Sequence, residues 1–219
     1  MSGDTRSALL TAAERLFADG GIDGPSLREI TRAAGQRNTS ALQYHFGDRD
    51  GLLRAVLEHH LRSVDTNRSA LLDQLDLTGG GDERGLAAAL VLPLVSKLDD
   101  DGGGRDYLQV AGEVVARPVR FAGLLPLLTT GPGMARWSKA VEPLLPEVAV
   151  GRPLHRRFAA IRFVHGELAS RARERRSRSD HRLFTSHLVD LVTALLAAPV
   201  SPDTARLIRR EPPAGGRTR

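Results

Sequence analysis

Cysteine is absent from the 219 residues, which removes thiol nucleophiles, disulfides, iron–sulfur ligation and cysteine-bound zinc together. Aromatics are scarce, with one Trp, two Tyr and six Phe. No apolar run approaches the roughly 18 residues of a membrane span. The opening stretch MSGDTRSALLTAAERLF lacks the unbroken apolar core of a secretory signal, because Thr11, Glu14 and Arg15 interrupt it. The expectation is a cytoplasmic protein with no membrane partner. Phosphate-cradling GxGxxG after a strand, GxxxxGK[ST] and the GxSxG elbow are also missing. Of the histidines, His59 and His60 are adjacent, and His155, His165, His181 and His187 lack the three- or four-residue spacing of helical metal sites. No catalytic residue, metal or cofactor is therefore expected. What remains, 41% hydrophobic and 26% charged residues, is the composition of a globular protein with a real core.

The net charge of +5 invites a nucleic-acid reading, but its location matters more than its sum. Residues 1–50 hold six basic and seven acidic groups, residues 51–150 ten and thirteen, and residues 151–219 fifteen and six. The excess is entirely C-terminal. It is densest in Arg171, Arg173, Arg175, Arg176, Arg178 and Arg182. A solvated helix end explains that run, since Arg complements the negative pole of a helix dipole; a docking patch for an anion or for acidic residues of a second subunit is the rival.

Along the chain, Leu9, Leu10, Ala12, Ala13, Leu16 and Phe17 recur at helical spacing, with Thr11, Glu14 and Arg15 on the opposite side. Gly20 and Gly21 end this first helix. Ser26 and Glu29 have the spacing of a capping box, so a second helix starts near Ser26 and buries Leu27, Ile30, Ala33 and Ala34 before Gly35 turns the chain. The following segment, QRNTSALQYHF, is anchored only by Ala41, Leu42 and Phe46 and displays polar groups elsewhere. Two helices joined by a short glycine turn, the second one polar, outline a helix-turn-helix. After Gly47 a long helix runs from about Arg49 toward Leu75, with Leu52, Leu53, Val56, Leu57, His60, Leu61 and Val64 on its apolar side.

These residues carry a family resemblance. The stretches LLTAAERLFADGG, SLREITRAAG and LQYHFGDRDGLLRAVL, between Leu9 and Leu57, resemble the DNA-binding domain of the TetR family of bacterial transcriptional repressors. Two departures stand out: one residue more than usual between Gly35 and Phe46, and Gln43 where the family commonly has Tyr. The resemblance implies an all-α protein: a three-helix helix-turn-helix DNA-binding domain over 1–48, a linking helix over 49–75, and a helical effector-binding and dimerisation domain over 76–199. A tail over 200–219 would follow. It also implies that effector entry alters the angle of the fourth helix and so the spacing of two heads.

For DNA contacts the candidates are Ser26, Arg28, Arg37, Asn38, Thr39, Ser40, Gln43, Tyr44, His45 and Arg49. Ser26 at a helix start and Arg49 at another would take phosphates, with Arg28 and Arg37 extending the grip. Arg37, Asn38, Ser40 and Gln43 would read bases, because Arg pairs with guanine and Asn or Gln with adenine in the major groove. Tyr44 and His45 would reach backbone, a sugar or a thymine methyl. Capping alone explains Ser26 equally well, and packing explains Phe46 better than any contact with DNA. A homodimer would place two such helices about 34 Å apart on a palindromic operator of double-stranded DNA.

Six of the twelve prolines fall between residues 118 and 153. Each costs about 3 kcal/mol inside a helix, so short, broken helices with room for a cavity are expected there. Tyr107, Phe121, Met134, Trp137, Phe158 and Phe163 would line it, with Arg162, His165 and Glu113 as polar contacts for a small, largely apolar effector. Ordinary core packing explains each aromatic too. Farther on, Phe158, Ile161, His165, Leu168 and Ala172, then Phe184, Leu188, Leu191 and Leu195, step by threes and fours, as two helices packed against each other would. The last carries more apolar surface than one partner needs, which points to a second subunit. A helical enzyme and a partner-binding scaffold without DNA contact are the competing functional classes.

Overall fold

The computed structural model describes residues 2–79, 81–151, 153–174 and 181–210. Among them there is no strand, and twelve α-helices follow one another. The head comprises α1 (Ser2–Gly20), α2 (Leu27–Ala33) and α3 (Ser40–Phe46). Then come the 29-residue α4 (Arg49–Leu77), α5 (Glu83–Val95) running into a 3₁₀ turn at Ser96–Asp99, and α6 (Gly104–Ala116). The proline-rich region gives the short α7 (Leu125–Thr129), α8 (Pro132–Val141) and α9 (Glu147–Val150). Two longer helices, α10 (Arg156–Arg173) and α11 (Arg182–Ala197), precede α12 (Pro202–Arg210).

The breaks follow local chemistry. Pro126 and Pro132 sit in the first turns of α7 and α8, where a missing N–H costs nothing. Asp48 and Asp82 cap α4 and α5 by accepting from Gly51 N and Gly85 N. No single helix among the described residues is long and apolar enough to cross a membrane.

One apolar core runs through head and body. In the head it is built from Leu9, Ala13 and Phe17 of α1, Ile30 of α2, Leu42 of α3 and Leu52, Leu53, Val56 and Leu57 of α4, all essentially inaccessible. In the body, α6 packs chiefly against α10 and α11 against α5. The expected α10–α11 pairing is present but secondary. At the α6–α10 crossing a side chain on Gly112 would put its Cβ 2.6 Å from the Ala169 Cβ, so that close approach requires glycine.

Two expectations are corrected. Glu14, assigned to the solvent side of α1, is buried, and its carboxylate accepts a 2.6 Å hydrogen bond from His60 Nε2 of α4. His60 also stacks on the Tyr107 ring of α6 at 4.8 Å. Asp100, held by Lys97 Nζ at 2.7 Å, lies 3.8 Å from its other ring nitrogen. Within the tail expected over 200–219 to be mobile, residues 202–210 form the helix α12; residues 211–219 lie outside the described residues. So do residues 175–180, with Arg175, Arg176 and Arg178 of the basic run. Of that run, Arg171 closes α10, pairs with Glu174 at 2.7 Å and stacks over the Phe184 ring.

Candidate nucleic-acid interface

Helix α2 begins at the predicted capping box. Ser26 Oγ accepts from Glu29 N at 3.2 Å, and Glu29 Oε2 accepts from Ser26 N at 2.6 Å. These contacts hold the Glu29 carboxyl below its ordinary range. Ser26 is therefore a cap, and only its hydroxyl proton is left to meet a phosphate. Beyond α2, Gly35 adopts a φ of +72°, which L side chains seldom tolerate, and reverses the chain. The N-cap of α3, Thr39, makes no side-chain cap bond; instead Asn38, one residue earlier, accepts from Ser40 N at 3.0 Å and holds the start of the helix. Asn38 thus has a structural task alongside its candidate base contact, and its amide NH2 is not used in that bond.

Helix α3 is held by one fully buried residue, Leu42, with Ala41 and Phe46 partly buried beside it. Around that anchor Arg37, Asn38, Ser40 and Gln43 are exposed, Thr39 and His45 are half-buried, and Tyr44 projects with 83% of its surface accessible. Tyr44 and His45 meet edge to face at 5.1 Å. Arg28 is exposed on the first turn of α2. A seven-residue helix that buries one leucine and presents a continuous polar face is built for display.

Arg49 does not join that face. Its guanidinium donates to Ile22 O at 2.7 Å and Pro25 O at 2.6 Å and lies over the Phe17 ring. The two carbonyls of the α1–α2 turn would otherwise lack partners, so Arg49 fastens α4 to that turn. The body holds the same turn from the other side: Glu113 Oε2 of α6 accepts from Ile22 N at 3.0 Å, and Arg117 and Arg120 both donate to Asp23. Those two arginines keep the Asp23 carboxyl below its ordinary range.

Residues 9–56 match the family model described as bacterial regulatory proteins, tetR family. The head is that of a TetR-family regulator. No curated protein matches the chain in sequence. Its fold is shared by a TetR-family regulator from Mesorhizobium loti, 19% identical over 90% of this chain and 97% of that one, with a TM-score of 0.52. A second, from Shewanella sp. PV-4, is 19% identical over 88% and 95%, with a TM-score of 0.57. The TetR-family regulator PfmR from Thermus thermophilus is 16% identical over 84% and 96%, with a TM-score of 0.53. At such identities the likeness extends to the fold of the body, not to what the body binds. The family match over residues 9–56 supports a DNA-binding regulator.

Among the described residues, those expected to contact an effector do not share one of the clefts between α4 and the α7–α8 corner or beside α10. Tyr107, Phe121, Met134, Trp137 and His165 are buried, Phe158 and Phe163 half-buried, and Arg162 exposed. Trp137 donates its indole N–H to Leu86 O at 2.8 Å, and Phe121 lies beneath Arg117 and Arg120. These are core and scaffold contacts. Met134 alone reaches a cleft of about 730 Å³ between α4 and the α7–α8 corner, and Phe158 a different cleft beside α10. The first cleft contains Asp65 and Arg68 of α4, which sequence reasoning passed over. Its only signal was Arg68 in the apolar series Val64, Arg68, Leu72.

Proposed function

We propose that the chain is a repressor that binds a palindromic operator as a homodimer and is released by a small molecule. The exposed polar face of α3, fixed by the buried Leu42 within a TetR-family head, carries the reading. In the major groove Arg37 pairs with guanine and Gln43 with adenine, with Asn38 and Ser40 beside them. Arg28 and the Ser26 hydroxyl hold phosphates; Thr39, Tyr44 and His45 border the base-reading face and reach backbone and sugar. Arg49 contributes indirectly, by fixing the turn that carries α2.

The outer side of α10 and α11 is the face proposed for the second copy. Leu183 and Leu191 are exposed there and Phe163, Phe184 and Leu195 half-buried, while Leu188, Val192 and Leu196 serve the chain's own core. Two heads brought together in this way suit an inverted repeat.

Selection of random duplex DNA on the immobilised full chain tests the reading. An enriched inverted repeat with half-sites about one helical turn apart is expected. Gln43→Ala should relax selection at one position of each half-site, at a cost of about 1–3 kcal/mol per contact, with helical content unchanged by circular dichroism. Recovery of no motif would refute operator binding.

A further inference from the structure

Arg68 is 3% exposed at the floor of the cleft between α4 and the α7–α8 corner, a space of about 730 Å³. A buried guanidinium normally has its charge matched and its five donors engaged. Here the Nε has no hydrogen-bond partner, and the nearest carboxylate oxygen, Asp65 Oδ1, stands 3.6 Å from Nη1, beyond hydrogen-bond range. Asp65 is already engaged: its two oxygens accept from Gly133 N at 2.9 Å and Met134 N at 3.2 Å at the start of α8. The other acids of the cleft are held at its rim. Asp73 is bonded by Arg136 at 2.8 Å, and Glu58 faces Arg54 at 4.0 Å. Burial pulls the Arg68 guanidinium below its ordinary value, and neighbouring Tyr107 and Asp65 oppose that shift.

An apolar side is formed by Leu61 of α4, Leu127 and Leu128 of α7, and Met134 of α8, while Arg62, Thr66 and Ser69 add polar lining along α4. We propose that this cleft takes a small organic acid, with its carboxylate on Arg68 and its apolar body against Leu61, Leu127, Leu128 and Met134. The proposal rests on the ligand-responsive reading above and names the class of ligand. A guanidinium fork donates two parallel hydrogen bonds to a planar carboxylate, a pairing that a neutral hydroxyl or amide cannot match. Because the cleft is walled by α4 and by the α7–α8 corner, an acid seated there touches the helix that carries the head.

Binding is measured on the full chain without DNA, so its failure and that of operator binding are separable. The sole tryptophan, Trp137, lies on α8 one turn from Met134, and its emission together with the melting temperature reports occupancy. The probes are three matched pairs: decanoate and decanol, 4-phenylbutyrate and 4-phenylbutanol, 1-naphthylacetate and its amide. In at least one pair the acid should bind about tenfold more tightly than the neutral partner. Arg68→Gln should abolish that preference, and Arg32→Gln, exposed on α2 and outside the cleft, should leave it. Arg68→Lys keeps a charge without the fork and should lower the preference at least threefold, which decides the matter if Arg68→Gln does not fold. Neutral partners binding as well as their acids in all three pairs, or a preference that survives both Arg68 variants, would overturn the proposal.

Discussion

His165 shows how a single buried residue ties stability to solution conditions. It sits on α10 in the core, donates from Nδ1 to Ile161 O at 2.8 Å, and is pushed from 6.5 down to about 4, chiefly by burial. Arg68 nearby adds to the depression. Between those two values the unfolded chain binds a proton that the folded chain refuses, so stability is full above about 6.5 and falls as pH drops toward about 4. Melting temperatures across that interval should decline for the wild type and follow a flatter course in His165→Gln; parallel profiles would remove His165 as the cause. Periodicity placed this histidine on the inner face of α10 but could not assign it a partner. Glu14 was misplaced for a related reason. Its charge marked it for solvent, and only His60, 46 residues away, makes its burial tolerable. Arg68 likewise stood in an apolar series, yet its meaning depends on Asp65 already being held by α8.

At the scale of elements, helices were legible wherever a cap and an apolar stripe coincided. The Ser26 box, the Asp48 and Asp82 caps and the turn at Gly35 all mark boundaries that the residues announce locally. The order of packing was not legible, because the close approach of α6 and α10 depends on a glycine, which adds nothing to an apolar pattern. Gly112 makes that contact testable. Alanine there improves helix propensity by about 1 kcal/mol, but its methyl would lie 2.6 Å from the Ala169 Cβ and 3.1 Å from the His165 carbonyl oxygen. Overpacking of this kind costs about 1–3 kcal/mol, so Gly112→Ala should lower stability in urea denaturation despite the better propensity. A gain would mean that α6 and α10 separate easily. The aromatics of the proline-broken region were legible as buried but not as convergent: Trp137 and Phe121 support neighbouring helices, and the two clefts beside them draw mainly on other residues.

For the whole molecule, the charge distribution sets how operator binding responds to salt. With Arg49 turned inward, the exposed arginines of α2 and the α2–α3 turn are Arg28, Arg32 and Arg37. With Arg37 on a base, the proposed dimer brings four such groups, Arg28 and Arg32 of each subunit, to the phosphates, and at about 0.9 per contact the logarithm of affinity should fall with that of salt at a slope no steeper than about −4. A markedly steeper slope would show that the basic C-terminal third also reaches DNA. The geometry of α4 has a further consequence. Arg68 and Arg49 are nineteen residues apart on one continuous helix, which makes a rigid arm of about 28 Å. A rotation of about 5° at the cleft displaces its far end by about 2.5 Å, and two arms moving apart change the head separation by about 5 Å, more than the roughly 3.4 Å between stacked bases. In the proposed homodimer α4 would thus work as a mechanical amplifier, a rotation of about 5° beside Arg68 sufficing to put the two reading heads more than one base step out of register.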